Sequence, residues 1–247
     1  MNKSSKNAAR AVCLVSGGMD SAVALAEARA AGFAVHALSV RYGQRAECEL
    51  AAAQRVARAL GAAEHRIVAL DLAALGGSAL VGAGAIPKDR GEAEIAAGGV
   101  PPTYVPARNT LLLALALGWA ETLGARELFL GVNAVDYSGY PDCRPEFLRA
   151  FEGLAALATA AGTMQGARFR VHAPLIALSK KEIVLRAEAL GVDLGLTHSC
   201  YEPLSRDGAW LACGRCDACT LRLKGFREAG RTDPIRYAIA LAGESSR

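Results

Sequence analysis

The sequence predicts a doubly wound α/β fold, a parallel sheet with helices on both faces, joined to a small C-terminal lobe built on cysteines. Three observations carry this. Short apolar runs alternate with helix-length runs from residue 11 to residue 190, the pattern of repeated βα units. A glycine turn, Ser16-Gly17-Gly18-Met19-Asp20-Ser21, stands between the first apolar run and an Ala-rich run. Four cysteines, Cys200, Cys213, Cys216 and Cys219, cluster late in the chain. The expected division is a main domain over 1–195 and a lobe over 196–247.

In order, residues 1–9 are polar and expected to fray. Residues 11–15 form the first strand, and the helix after the glycine turn starts near Asp20 or Ser21. Adjacent glycines allow positive φ and close approach, and the helix start offers unpaired N–H groups and the positive end of its dipole. Together they form a phosphate cradle. The spacing is neither G-x-x-x-x-G-K-[ST] nor G-x-G-x-x-G. A strand over 34–40, a helix over 47–60 and a strand over 65–70 follow. Ligands of such sheets bind beyond the carboxyl ends of the strands, where the glycine turn and Arg41-Tyr42-Gly43-Gln44-Arg45 both fall. Residues 73–103, crowded with Gly and Pro, are expected to be a mobile cover over the nucleotide. Asn109 is expected to N-cap a helix running to about 123. A strand over 128–132 leads into a polar loop over 133–144. A helix over 145–161 opens at Pro145, and the fifth strand spans 169–172. Ser179 and Glu182 form a capping box for a helix to residue 190, stopped by Gly191. A last helix is expected over 220–229.

Composition narrows the class. The chain is 52% hydrophobic and 21% charged, with a net charge of +4. That suits anionic small molecules without demanding nucleic acid. The longest apolar run, 111–120, is far shorter than the roughly 18 residues of a membrane span. With no signal-peptide core, a cytoplasmic protein is expected, and seven cysteines then point to metal or catalysis before disulfides.

The four late cysteines read C-x12-C-x2-C-x2-C, a spacing that can close a tetrahedral zinc site. Arg215, Arg222 and Lys224 stand nearby to offset the thiolate charge. An iron–sulfur cluster is the competing assignment, but the further cysteine three residues on is absent, since position 223 is Leu. His198 is expected beside the site rather than on the metal. Cys13, Cys48 and Cys143 are expected to be non-ligands. Four protein ligands leave no open position, so one structural zinc per chain is expected to pin the lobe to the main domain.

The Ser-Gly-Gly-x-Asp-Ser turn directly after a first strand resembles the PP-loop of the N-type ATP pyrophosphatases. The resemblance implies a Rossmann-like, adenine-nucleotide alpha-hydrolase-like fold and ATP cleaved between its α and β phosphates. It implies ATP contacts along Leu14, Val15, Ser16, Gly17, Gly18, Met19, Asp20, Ser21, Ala22, Val23 and Ala24. Asp20 and Ser21 are candidate catalytic residues, with Asp20 supporting Mg²⁺ or orienting the loop. Lys180, after Pro174-Leu175, resembles a lysine common in PP-loop enzymes that acts as a cation on the phosphates; its neighbour Lys181 is expected to be solvated.

A narrower resemblance spans about residues 11–230. Asp136, Ser138-Gly139-Tyr140-Pro141-Asp142-Cys143-Arg144 and Phe147 are similar to the signature of the 7-cyano-7-deazaguanine synthase family. Tyr42-Gly43-Gln44-Arg45, Val105-Pro106 with Arg108-Asn109, and the four cysteines match as well. The chain departs from that pattern at Ala46, where His is frequent, and at Ala107, where Gly is usual. The loop between Cys200 and Cys213, with Pro203 to Leu211 inside it, is also long. The resemblance implies a ligase acting on 7-carboxy-7-deazaguanine, ATP and ammonia, and a homodimer. It places Tyr42, Gln44, Arg45, Arg108, Asn109, Asp136, Tyr137, Tyr140, Asp142 and Arg144 at the substrate. Asp136 and Asp142 are suited to the ring's N–H donors, Tyr137 or Tyr140 to stacking, and Arg144 or Arg108 to a carboxylate or phosphate. One alternative is a PP-loop tRNA-modifying enzyme, a thiolase or lysidine-type ligase; the mild charge and lack of a basic tail stand against it. Another is a non-catalytic nucleotide-binding module; intact Asp20, Ser21 and Lys180 stand against that.

Overall fold

Strand β1, Arg10–Leu14, is buried along its length except at Arg10, and its side chains split between two cores. Ala11, Cys13 and Val15 pack on one face of the sheet, Val12 and Leu14 on the other. Alternation at a period of two is what a strand covered by helices on both faces requires. The computed structural model describes residues 8–46, 48–82, 84–96, 99–133 and 139–239. After β1 come α1 (Met19–Ala30), β2 (Ala34–Arg41), α2 (Cys48–Ala59) and β3 (Glu64–Ala69). Then follow α3 (Glu92–Ala96), α4 (Arg108–Leu123), β4 (Glu127–Phe129), α5 (Pro145–Ala158), α6 (Ala160–Gln165) and β5 (Arg170–His172). The chain continues with α7 (Lys180–Ala189), the strands β6 (Leu204–Arg206) and β7 (Ala209–Leu211), and α8 (Asp217–Glu228).

The five-stranded sheet has the order β3-β2-β1-β4-β5, and every pairing in it is parallel. Helices α1, α2 and α7 contribute to the core on one face, and α4 and α5 to the core on the other. This is the doubly wound arrangement expected. The order reverses between β1 and β4, so a crevice opens beyond their carboxyl ends. The loops that follow both strands supply that crevice.

Several local expectations change. Asn109 is not the N-cap of α4: Ala107 holds that position at φ 54°, with no acceptor in its side chain. The acceptor comes from elsewhere, since Asp142 Oδ2 takes the Asn109 N–H at 2.8 Å. A helix start buried without an acceptor would leave orphan donors, and Asp142 removes one of them. The helix expected over 145–161 breaks at Thr159 (φ −120°, ψ 147°), whose hydroxyl accepts from Gly162 N–H and starts α6. The last helix begins earlier than expected, at Asp217, so Cys219 lies in its first turn rather than before it.

The segment expected as a mobile cover is instead packed on the C-terminal lobe. Leu72, Ala79, Leu80, Val81, Ile86 and Val105 share one core with the four late cysteines. Lys88 makes an antiparallel bridge to Cys216, and Asp89 N–H donates to Arg215 O at 2.8 Å. Ion pairs join Asp89 to Arg215, Arg90 to Asp217, and Glu92 to both Lys224 and Arg227. No helix among the described residues is long and apolar enough to cross a membrane.

Candidate active site

The glycine turn after β1 is shaped by a close approach from α2. Gly17 sits at φ 95°, and a Cβ there would lie 2.2 Å from the Glu49 carbonyl oxygen and 2.8 Å from the Ala53 nitrogen. No side chain fits, so the loop backbone can press against α2 and turn its amides outward. Within the loop, Ser21 Oγ donates to Gly18 O at 3.0 Å and accepts from Ser16 N–H at 3.2 Å. Ser16 Oγ accepts from Gly18 N–H at 3.3 Å. These bonds hold the turn at the N-terminus of α1, where the helix dipole favours an anion.

Two further segments close on the loop. His198 N–H donates to Gly17 O at 2.8 Å, and Ser199 Oγ accepts from Met19 N–H at 3.3 Å. Across the loop, Lys180 Nζ donates to Asp20 Oδ2 at 2.7 Å, and Asn133 Nδ2 reaches the same oxygen at 3.4 Å. Asp20 Oδ1 is buried and has no hydrogen-bond partner among the described residues. Lys180 owes its place to the capping box: Ser179 Oγ accepts from Glu182 N–H, while the Glu182 carboxylate takes Ser179 N–H at 2.7 Å. Gly225 of α8 lets that helix rest on the same turn, since a Cβ on it would come within 2.8 Å of Lys180 Cβ.

A cavity of about 250 Å³ lies at the switch point. Of the expected site residues, Leu14, Val15, Ser16, Gly18, Met19, Asp20, Ser21, Tyr42, Gln44, Arg45, Arg108, Asn109, Tyr140 and Lys180 line it. Gly17 lies behind this wall against α2, and Ala22, Val23 and Ala24 are buried in the core behind it. Asp142 does not line the cavity; it is buried and bound to Asn109, whose amide also donates to Asp142 O and Cys143 Sγ. Arg144 is exposed at the start of α5 and also off the cavity wall. Asp136 and Tyr137 lie outside the described residues. Gln44 turns its amide to the backbone, accepting from Tyr42 N–H and donating to Val40 O. Arg45 binds Gly82 O and so ties this loop to the segment over 73–103.

Sequence reasoning missed Glu49, Ser199 and Tyr201 and related His198 only to the cysteines; all four line the same cavity. No short motif marks them; Glu49 looks like an ordinary first-turn acid of an amphipathic helix. Burial drives its pKa up to about 8, opposed by the charge of Arg108 and reinforced by Cys216. Arg108 lies over the Tyr42 ring, 5.9 Å from its centroid. Burial and the positive charges of Arg222 and Arg55 push His198 down to about 4, so its imidazole is neutral.

The sulfur atoms of Cys200, Cys213, Cys216 and Cys219 all lie within 4.8 Å of one another and all four residues are buried. Cys213 and Cys219 are 3.9 Å apart. A tetrahedron of sulfurs with metal bonds of about 2.3 Å has edges of about 3.8 Å. Backbone N–H groups of Cys213, Arg215 and Cys216 point at cluster sulfurs at 3.2–3.4 Å, as thiolates require. The donor set therefore fits a metal ion held by four thiolates. Cys13, Cys48 and Cys143 are not part of it.

Amides at a helix start, set where the strand order reverses and faced by a lysine, are how an open α/β sheet grips a nucleotide's phosphates. The fold and site are those of a PP-loop-type nucleotide-binding protein. More narrowly, the chain belongs to the family described as queuosine biosynthesis protein QueC, whose family model matches residues 10–230. It is 62% identical over 229 residues to the 7-cyano-7-deazaguanine synthase of Thiobacillus denitrificans (strain ATCC 25259 / T1), covering 92% of this chain and 98% of that protein. It is 58% identical over 239 residues to the 7-cyano-7-deazaguanine synthase of Anaeromyxobacter dehalogenans (strain 2CP-C), covering 96% of this chain and 100% of that one. Among solved structures, NMN synthetase from Francisella tularensis matches at 15% identity with a TM-score of 0.47, over 92% of this chain and 79% of that one.

Proposed function

We propose that this chain is an ATP-dependent ligase that converts 7-carboxy-7-deazaguanine and ammonia to 7-cyano-7-deazaguanine in queuosine biosynthesis. The observation that carries this is the family match over residues 10–230, which takes in every element of the cavity. A carboxylate is a poor electrophile, and the reaction has to make it a better one. The substrate carboxylate attacks the α-phosphate of ATP, giving an acyl adenylate and pyrophosphate. Ammonia adds to the acyl carbon, AMP leaves, and a proton is released with the amide. The amide oxygen then attacks the α-phosphate of a second ATP, displacing its pyrophosphate and giving an adenylated imidate. Loss of AMP and of the nitrogen-borne protons leaves the nitrile.

Within this scheme the amides of Gly18 and Met19 and the hydroxyls of Ser16 and Ser21 receive the pyrophosphate, with Gly17 behind them shaping the turn. Preorganised dipoles stabilise the charge that develops there. Lys180 leaves Asp20 for the phosphates. Asp20 would hold Mg²⁺ through its unpartnered Oδ1, and the ion would supply charge neutralisation at the phosphate oxygens. Ser199 Oγ stands where a phosphate oxygen would take the Met19 N–H. Arg108 takes the substrate carboxylate, and Tyr140 stacks on the ring. The metal of the four cysteines is zinc in this reading, one per chain, with a structural role. Residues 1–195 form the ATP and substrate unit and 196–247 the zinc lobe. Free ammonia is the nitrogen source, tRNA is not bound, and the enzyme is a cytoplasmic homodimer.

The test is the product balance. Purified protein given ATP, Mg²⁺, ammonium and 7-carboxy-7-deazaguanine is expected to form two AMP and two pyrophosphate per nitrile. ADP and phosphate in their place would overturn cleavage at the α-phosphate, and no nitrile at all would overturn the ligase assignment.

A further inference from the structure

The cavity wall carries two described carboxylates, Asp20 and Glu49. Asp20 is held by Lys180 at the phosphate loop. Asp142, expected to face the substrate, is turned away to Asn109. Glu49 is left: it sits in the first turn of α2, and its carboxylate has no hydrogen bond or ion pair among the described residues. A half-buried carboxylate that faces a cavity without protein donors loses part of its hydration, and its raised pKa reflects that loss. The same cavity is lined by the rings of Tyr42, Tyr140 and Tyr201 and the side chains of Leu50 and Leu80, and Arg108 stands close enough to oppose the shift of Glu49.

A ligand that satisfies this wall has a planar ring, two adjacent N–H donors and an anionic group. Adenine fails, because its pairing edge offers one donor beside an acceptor. Ammonium brings donors but nothing for the aromatic wall. The deazapurine of the proposed reaction meets every requirement, with a ring N–H next to an exocyclic amino group and a carboxylate elsewhere on the ring.

We propose that Glu49 is the residue that reads the donor edge of the deazapurine, its carboxylate accepting from the ring N–H and the exocyclic amino group together. This rests on the ligase reading above and deepens it by naming the specificity determinant. Glu49 touches substrate but not the reacting atoms, so its loss weakens ground and transition states alike.

The experiment compares wild type, Glu49→Gln and Glu49→Asp with two substrates, 7-carboxy-7-deazaguanine and its analogue lacking the exocyclic amino group. Wild type is expected to show a KM for the analogue about 10- to 100-fold higher, the range of one hydrogen bond to a charged group. Glu49→Gln is expected to raise the KM for the natural base by a similar factor and to bring the ratio between the two bases close to one. The KM values for ATP and ammonium, kcat and the melting temperature are expected to stay near wild type. Three results would overturn the assignment: wild type accepting both bases equally, Glu49→Gln keeping the wild-type ratio, or a rise confined to the KM for ammonium. The comparison of bases on wild type stands even if a variant fails to fold. Wild type that makes no nitrile would sink the ligase reading; wild type that makes nitrile without discriminating the bases would sink only this one.

Discussion

Arg222 and Asp233 offer a quantitative test of what holds the C-terminal lobe to the phosphate loop. Their side chains are 2% and 1% exposed. The guanidinium meets the carboxylate in bidentate fashion, Nε to Oδ2 at 2.7 Å and Nη2 to Oδ1 at 2.9 Å. It also donates to Thr197 Oγ1 at 2.7 Å and to Leu194 O at 3.1 Å. Asp233 in turn accepts from Tyr237 OH at 2.7 Å and Ile235 N–H at 3.2 Å. Three stretches, α8, the turn before Cys200 and the tail after it, meet at this pair. Arg222→Met keeps the apolar volume but strands a buried carboxylate, a change that costs about 3–5 kcal/mol. The two surviving donors to Asp233 place the loss toward the lower end. Asp233→Leu strands a guanidinium that keeps acceptors at Thr197 and Leu194 but leaves its Nε–H without one, and falls toward the upper end. For a chain of this length each kcal/mol moves Tm by roughly 2–4 °C, so shifts of about 6–20 °C are expected. The double variant, an apolar pair of similar volume, is expected to recover most of the loss. The assay is urea or thermal unfolding of the metal-loaded protein followed by tryptophan fluorescence. Either single variant losing under about 1 kcal/mol, or a double variant equal to the sum of the two, would refute the reasoning.

Three shorter predictions concern the site and its supports. Lys180→Ala is expected to lower kcat by about 10²–10³, the scale of losing one preorganised charge at the phosphates, while Lys181→Ala leaves it near wild type; equal effects in steady-state kinetics would remove Lys180 from the phosphates. Metal analysis is expected to find about one zinc per chain, and a chelator is expected to lower Tm and release the ion. Iron with visible absorbance would replace zinc in that assignment. Ala107→Gly removes a Cβ from a residue held at φ 54°, a conformation that costs a non-glycine residue about 1–2 kcal/mol. After the added chain entropy of glycine, a gain of about 0.5–1 kcal/mol in denaturant unfolding is expected; a loss would show that the strain is relieved in some other way.

That position also shows how far the sequence could be read. The family pattern has glycine before Arg108, and the reason becomes visible only in the left-handed turn that Ala107 is made to adopt. Asn109 had the chemistry of an N-cap and the correct place for one, but the acceptor came from Asp142, 33 residues along the chain. The same bond withdrew Asp142 from the expected substrate contacts. Glu49 carried no motif, and its place on the cavity wall depends on α2 packing against a loop 32 residues earlier. Gly225, inside the last helix, carried no signal in the sequence, and it is a point of close contact with the turn that presents Lys180.

Signals confined to a few neighbouring residues were legible from the chain alone. The phosphate loop, the capping box at Ser179, the cysteine spacing and the alternation of strands with helices each depend on backbone geometry within one or two turns. Those features determined the fold class, the end of the sheet that carries the site and the four thiols that could hold a metal ion. Tertiary structure decided which carboxylates line the cavity, which one caps a helix, and that the glycine-rich segment clasps the C-terminal lobe. Such choices follow from which distant surfaces meet once the sheet order is set, and a buried polar group takes whatever partner that meeting supplies.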